Sequence, residues 1–219
     1  MIMVKNSPIL STAYLPSIDY FAVLANAESA AVENAEHYQK QSYRNRTHIL
    51  TANGVQSLSI PVVHTSSKML ITEVKIDYKT NWQQQHLKTI ESAYNNSPFY
   101  LYYKDFLLSF FQKRYTFLFD YNMEIITLLL RLMKIETSLS CTNEFQQYEE
   151  CELDYRSRIH PKKPLLSNLL PITSKSYSQV FDDKFGFTPN LSVIDLLCNV
   201  GNESQGYLLT PPNLAMLSD

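Results

Sequence analysis

Residues 9–32 alternate between strand and helix signals, and this alternation constrains the fold more than any other feature. Ile9 to Tyr14 is typical of a short strand. Leu15-Pro16-Ser17 then turns the chain into a helix over Ile18 to Asn26, because proline fits the first turn of a helix. Ser29 to Val32 is predicted to be a second strand. This order predicts a mixed α/β fold with a βαβ start and a central β-sheet flanked by helices.

The loops that follow parallel strands commonly form a ligand crevice at the carboxyl edge of the sheet. Asp19 and Tyr20 come after the first predicted strand, and Glu33 comes after the second. All three are therefore candidate substrate-binding residues. Asp19 has an equally good alternative role, because a carboxylate in the first turn of a helix interacts favourably with the helix dipole.

A basic cluster in residues 40–49 is the strongest candidate for a functional site. An apolar, hairpin-like segment follows it, with a turn at 52–54 and a second strand signal over 55–63. The cluster therefore lies where a loop enters a buried sheet, a position that holds charged groups rigidly over a pocket. Its candidate residues are Lys40, Arg44, Asn45, Arg46 and His48, and Tyr43 lies among them.

Alternate residues of an extended chain face the same side, so Arg44, Arg46 and His48 are predicted to share one face. Asn45 would point the opposite way and fix the loop. Guanidinium groups bind phosphate or carboxylate in a bidentate manner, which makes these arginines candidate anion ligands. A neutral His48 or His86 could accept a proton as a general base. For each histidine a structural role stays open.

The middle of the chain is predicted to be helical. Residues 69–76 carry the alternation of a half-buried strand, and Asn81 is placed to cap a helix that begins at Trp82. Two more helices, over 99–111 and 120–135, are expected to pack together through their apolar stripes.

The last third of the chain is predicted to be less regular. Residues 141–175 have the composition of an irregular arm or long loop within a single domain of residues 1–219. A last strand is predicted at 177–180, followed by a helix capped by Asn190 or Ser192. Asp195, inside that helix, is expected to pair with the basic cluster or to face water.

Composition excludes several classes of function. The net charge is −2, which argues against a general nucleic-acid binder, and neither GxGxxG nor GxxxxGK[ST] occurs. The three cysteines are not in CxxC spacing, which fits free thiols in a reducing cytoplasm, with Cys198 buried. We expect no cofactor and no metal, since His37 and His48 lack a carboxylate partner. No signal peptide or transmembrane run is recognisable, so a cytoplasmic location is expected.

Short motifs along most of the chain resemble the WbqC-like family of bacterial proteins, which is associated with O-antigen and other surface-polysaccharide gene clusters. Their order and spacing together carry the resemblance. The matching pieces are Leu15 to Phe21; Lys40 with Asn45, Arg46, His48 and Ile49; Leu58 to Val62; Trp82 with His86; Ala93-Tyr94 with Ser97 to Tyr100; and Asn190 to Leu197 with Asn199 and Gly201.

The chain also departs from this family. Tyr43 stands where the family usually has tryptophan, Thr12-Ala13 replaces a Gln-Pro pair, and residues 141–175 replace a longer segment with a Tyr-Leu-Ser-Gly-like stretch. These departures bear on whether the full substrate pocket is retained.

The resemblance implies a transferase that moves a glycyl or other acyl group onto an amino sugar, with a small-molecule, nucleotide-linked or lipid-linked sugar as substrate. The alternative is a non-catalytic binding or scaffold protein of a glycan-assembly pathway. In that case the arginines would pair internally with Glu33, Asp19 or Asp195. The sequence says nothing about the oligomeric state.

Overall fold

The computed structural model describes residues 7–63, 66, 68–142, 144–145, 153–163 and 176–209. The chain opens with β1 (Ile9–Ser11), α1 (Ile18–Ala25) and β2 (Ser29–Glu33). The two strands pair in parallel, with Ser11 opposite Glu33. Every residue of α1 except the last is buried. The predicted βαβ start is confirmed.

The basic cluster leads into a hairpin of two antiparallel strands, β3 (Arg46–Thr51) and β4 (Gly54–Ser59). Gly54 adopts φ 98° at the turn, which favours glycine. The predicted hairpin is confirmed, although its second strand is shorter than expected. It ends at Ser59, two residues before Pro61, which has no N–H to donate to a ladder.

The strand predicted over 69–76 is wrong. Ile71–Glu73 forms a single turn of 3-10 helix, in which the Val74 N–H donates to the Ile71 carbonyl. Ile71, Val74 and Ile76 are buried even though the chain turns between them. Their burial explains the alternation of apolar and polar residues that had predicted a strand.

The predicted helical middle consists of α2 (Trp82–Tyr94), α3 (Tyr100–Phe111) and α4 (Leu118–Leu132). Asn81 precedes α2 as expected, but its side chain donates to Gln84 Oε1 at 2.7 Å and does not cap the helix. A contact between the Phe110 and Tyr121 rings, with centroids 4.5 Å apart, joins α3 to α4. A groove also lies between these two helices, lined by residues of both, including Phe106, Phe110 and Leu128.

The chain just before the predicted arm, and a stretch within the arm, flank the parallel sheet on opposite sides. A strand that was not predicted, β5 (Ser138–Cys141), pairs in parallel with β2 and gives the order β1-β2-β5. On the other side, the Ile9 N–H donates to the Leu153 carbonyl and the Tyr155 N–H donates to the Ile9 carbonyl. The sheet therefore draws in the first residue of the segment predicted to be irregular and a stretch from its middle.

The C-terminal part contains α5 (Asp182–Phe185), α6 (Val193–Val200), a 3-10 turn (Gly201–Glu203) and α7 (Ser204–Leu208). The strand predicted at 177–180 is wrong. The Gln179 side chain instead bridges to both backbone groups of Thr188. The predicted helix is confirmed with Ser192 at its N-cap position, but the Ser192 hydroxyl donates to the Leu15 carbonyl and not to the helix.

One helix, α6, lies at the centre of the core, and its residues from Val193 to Cys198 are buried. Backbone hydrogen bonds join Leu191 to Ile18, Ser192 to His48 and Cys198 to Phe99. These bonds tie α6 to α1, to β3 and to the start of α3. Within the described ranges, no helix combines the length and the apolar character needed to cross a membrane.

Candidate functional site

Arg44 turns into the protein and is only 3% exposed. Its guanidinium forms an ion pair with Glu36, in which Nε lies 2.9 Å from Oε1, and donates to Ser11 Oγ at 2.7 Å. The internal pairing foreseen for Arg44 therefore exists, but its partner is Glu36 and not Glu33, Asp19 or Asp195. The pair uses most of the donors that an anion ligand would need.

Glu33, at the carboxyl end of β2, is fully buried and also paired. Its carboxylate accepts from Arg156 at 2.7 Å and from the Thr142 hydroxyl at 2.6 Å. Arg156 pairs in addition with Asp154, again at 2.7 Å. Glu33 thus belongs to an internal ion network at the sheet edge. It is the last residue of β2, one position earlier relative to the strand than predicted.

A small cavity lies beside this network, lined by Thr12, Tyr20, Tyr43, Arg44 and Arg156 among others. Its volume is about 10 Å³, room for roughly one water-sized group. The hydroxyl oxygens of Thr12 and Tyr20 are buried and have no hydrogen-bond partner in the part of the chain that the structure describes. Burial, and after it the charge of Glu36, raises the pKa of Tyr20, so its hydroxyl stays a donor.

Asp19 is buried in the first turn of α1, and its carboxylate accepts from Asn190 Nδ2 at 2.7 Å. The Asp19 N–H donates in return to Asn190 Oδ1 at 2.9 Å. Burial and then the charge of Asp19 raise the pKa of Tyr43 to about 12. Asp19 therefore joins α1 to the C-terminal segment and does not itself line the cavity.

Arg46 and His48 share the half-buried face of β3, while Thr47 between them is buried. Arg46 Nε is buried and has no hydrogen-bond partner among the described residues, and no carboxylate in those ranges pairs with this arginine. Arg44, the third residue predicted to share this face, lies before the strand and turns inward. The predicted face therefore holds Arg46 and His48 only. Asn45 Nδ2 donates to the Ile60 carbonyl at 2.9 Å and fixes the loop, as predicted.

His48 is placed beside aromatic and cationic groups. Its ring centroid lies 5.9 Å from that of Tyr43. Burial, and then the charge of Arg46, lowers the pKa of His48, so the imidazole is neutral at pH 7. A neutral imidazole can accept a proton. Lys40, earlier in the cluster, is exposed.

His86 lies in an aromatic part of the core and does not line the cavity. Its Nδ1 is 2.8 Å from the Tyr14 hydroxyl, and its ring centroid is 5.2 Å from that of Trp82. Burial lowers the pKa of His86 to about 4, although a hydrogen bond to the Ser59 backbone acts in the opposite direction. These surroundings are those of a histidine that joins α2 to the hairpin.

Asp195 lies in the core, which corrects both expectations for it, since it neither pairs with the basic cluster nor faces water. It is 1% exposed, and its Oδ1 accepts from the Tyr177 hydroxyl at 2.7 Å and from Gln179 at 3.1 Å. Burial raises the pKa of Asp195 despite these hydrogen bonds.

Sequence reasoning missed Glu36, Arg156 and Thr12. A signal for Glu36 existed, because it is the acidic residue of the loop that leads to Arg44. Nothing in the sequence links Arg156 to Glu33 across 123 positions. Within the described ranges, no three His, Cys, Asp or Glu side chains are grouped so that they could hold a metal ion.

The fold and this site define a mixed α/β protein with a basic cluster at the carboxyl edge of a short parallel sheet. The chain belongs to the WbqC-like protein family, whose model matches residues 12–162. It is also similar to the uncharacterized protein Rv1507c of Mycobacterium tuberculosis, with 24% identity over 227 residues that cover 93% of this chain and 97% of the relative. No solved structure gives a significant match.

Proposed function

We propose that the protein is a transferase of bacterial surface-polysaccharide biosynthesis that moves a glycyl or other acyl group onto an amino sugar. The pathway follows from the resemblance to the WbqC-like family. The observation that carries the proposal is the pair of Arg46 and His48 on the half-buried face of β3. A guanidinium without a carboxylate partner among the described residues, beside a neutral imidazole, supplies an anion ligand and a base.

The two side chains fit two requirements of acyl transfer. An activated acyl donor carries phosphate or carboxylate, which Arg46 binds. The attacking amine forms a bond to the acyl carbon, the bond from that carbon to the leaving group breaks, and the amine loses a proton to His48. General-base assistance of this kind is commonly worth about 10²–10⁴-fold in rate.

The charge balance links binding to catalysis. Burial and, after it, the charge of Arg46 lower the pKa of His48. A bound anion offsets that charge, so the pKa of His48 rises toward its usual range and the imidazole becomes a stronger base. Substrate binding then prepares the base.

A thermal-shift screen against nucleotide sugars, aminoacyl donors and free nucleotides tests the proposal. A ligand at about 100 times its Kd adds roughly 2.7 kcal/mol of stability, a shift that is easily seen. We expect a ligand that stabilises the wild type and no longer stabilises Arg46→Ala. The control Arg131→Ala removes an exposed arginine of α4, and the same ligand should still stabilise it. With that ligand, His48→Gln should bind normally and turn over slowly. Stabilisation that survives Arg46→Ala contradicts the proposal.

A scaffold role is the second candidate, and the ion pairs favour it. Arg44 and Arg156, two of the cations nearest the cavity, are already paired with carboxylates. The cavity itself admits about one water-sized group. A scaffold predicts that no compound stabilises the protein and that His48→Gln restores surface-glycan synthesis to a deletion strain as well as the wild type does.

A further inference from the structure

Two basic segments, far apart in the sequence, lie side by side. We name residues 39–46 the cluster loop and residues 153–163 the basic arm. Lys162 Nζ in the basic arm donates to Gln41 Oε1 in the cluster loop at 2.8 Å. The hydroxyl of Ser11, at the end of β1, donates to the Arg156 carbonyl at 3.3 Å. With the hydrogen bonds between Ile9 and the arm, this holds the arm against the sheet.

The seam between these two segments carries positive charge that the described residues do not neutralise. Lys40, Arg46, Lys162 and Lys163 form no salt bridge with a carboxylate in the described ranges. The hydrogen bond from Lys162 to Gln41 brings the basic arm to the residue that follows Lys40 in the chain. Burial, followed by the charges of Lys163, Arg44 and Lys162, also lowers the pKa of His160, as expected where cations lie close together. Converging cations repel one another, and an anion between them removes that repulsion.

The cavity lies beneath the same seam. Tyr43 and Arg44 of the cluster loop line one part of it, and Tyr155, Arg156 and Ile159 of the basic arm line another. Thr12 and Tyr20, which are 1% and 2% exposed, also line it, and their hydroxyls have no partner among the described residues. Buried hydroxyls of this kind are normally hydrogen-bonded, so an oxygen atom from outside is the missing partner.

We infer that the seam binds a diphosphate group. One phosphate oxygen occupies the cavity and contacts the Thr12 and Tyr20 hydroxyls, and Lys162 and Lys163 of the basic arm bind the remaining oxygens. Several cations match the charge of a diphosphate better than that of a single phosphate or carboxylate. The identification of this diphosphate as part of a sugar carrier rests on the proposed transferase function, whereas the anion site does not.

Calorimetric titration of the full chain with inorganic pyrophosphate tests the inference. We expect Lys162→Gln/Lys163→Gln to weaken binding by about tenfold or more, because two charge-assisted contacts are lost. The control Lys75→Gln/Lys88→Gln removes the same charge from two exposed lysines outside the seam and should bind like the wild type. Equal losses of affinity in both double variants would mean non-specific charge attraction and would overturn the inference. Wild-type affinity in Lys162→Gln/Lys163→Gln, the arm variant, would also overturn it.

Tyr20→Phe tests the cavity separately. The change removes one oxygen that has no partner, so we expect severalfold weaker pyrophosphate binding without a lower Tm. Unchanged affinity would overturn the placement of a phosphate oxygen in the cavity. A lower Tm would show that the Tyr20 hydroxyl is bonded within the protein, and would overturn it too.

A nucleoside diphosphate and a short prenyl diphosphate, titrated in parallel, distinguish the two sources of the group. Tighter binding of the first indicates a nucleotide-linked sugar, and tighter binding of the second a lipid-linked one. The inference and the proposed function fail differently. If Arg46→Ala abolishes sugar-donor binding while the arm variant keeps it, the function stands and the inference falls. If pyrophosphate binds at the seam but Arg46→Ala weakens the binding of no sugar donor, the inference stands and the proposed function falls.

Discussion

Arg44 and Arg46, two positions apart, have opposite environments. Arg44 is buried in an ion pair with Glu36, while Arg46 lies on a half-buried face without a carboxylate partner in the described ranges. A buried charge that loses its partner is strongly destabilising, whereas a half-exposed cation contributes little. The same residue type is therefore held in a buried ion pair at one position and lacks a carboxylate partner among the described residues at the other.

We predict that Arg44→Ala lowers the free energy of unfolding by about 3–5 kcal/mol, because it leaves the Glu36 carboxylate buried and unpaired. Arg46→Ala should change it by less than about 1 kcal/mol. Urea denaturation of the two variants and the wild type measures both values. Similar losses in the two variants would show that Arg46 is also structural.

His86 gives a prediction for pH. Its pKa is about 4 in the folded protein, below the usual value of 6.5, so the unfolded chain binds more protons between these two pH values. The stability that neutral His86 contributes is full above pH 6.5, falls as the pH drops toward 4 and is absent below it. The loss amounts to about 3 kcal/mol.

Urea denaturation between pH 7 and pH 4 tests this expectation. His86→Gln removes the titration, so its unfolding free energy should depend less on pH across that window than the wild-type value does. His37→Gln, at an exposed histidine, is the control and should follow the wild type. An unchanged slope in His86→Gln would assign the acid sensitivity to other groups.

At the residue scale, the sequence predicted positions better than partners. Tyr20 lines the predicted crevice and Asn45 fixes the loop, because both roles follow from the local chain direction. The partners of Asp19 and Glu33 lie 171 and 123 positions away, and no local pattern reveals such pairs. The depth at which Arg44 is buried depends on that distant packing as well.

At the scale of elements, predictions succeeded where turn chemistry and periodicity agreed. Pro16 and the apolar pattern after it correctly predicted α1. The Asn53-Gly54 turn and its flanking strand signals correctly predicted the β3–β4 hairpin. The strands predicted at 69–76 and 177–180 failed because short apolar runs do not reveal whether a backbone partner is present. β5 was missed for the converse reason, since its polar sequence pairs with β2 at the sheet edge.

Gly201 ends α6 at φ 63°, and a Cβ at this position would lie 2.6 Å from the Phe99 ring. Gly201→Ala therefore introduces backbone strain and a clash at the junction of α6 and α3. We predict a loss of about 2 kcal/mol or more in unfolding free energy. Gly206→Ala in α7 has open space and should be neutral or stabilising by up to about 1 kcal/mol. Comparison of the two denaturation midpoints provides the test, and equal midpoints would contradict it.

At the scale of the whole molecule, the core extends beyond the part that the family model matches. That match ends at residue 162, yet α6 and its neighbours are buried between α1, β3 and α3. A chain truncated after residue 163 would leave the apolar faces of these elements in water. We predict that it is insoluble or shows no cooperative thermal transition by circular dichroism. A transition near the wild-type Tm would show that the first 163 residues fold alone.

Cys198, buried in α6 and in the free thiol form, has a kinetic consequence. Cys198 is 0% exposed and burial raises the pKa of its thiol, so an electrophilic reagent reacts with it only after α6 leaves the core. In a Cys141→Ser/Cys151→Ser background, the labelling rate of Cys198 measures how often the centre of the protein opens. A bound ligand that closes the molecule should slow that rate, and the native sequence thus carries its own reporter of opening.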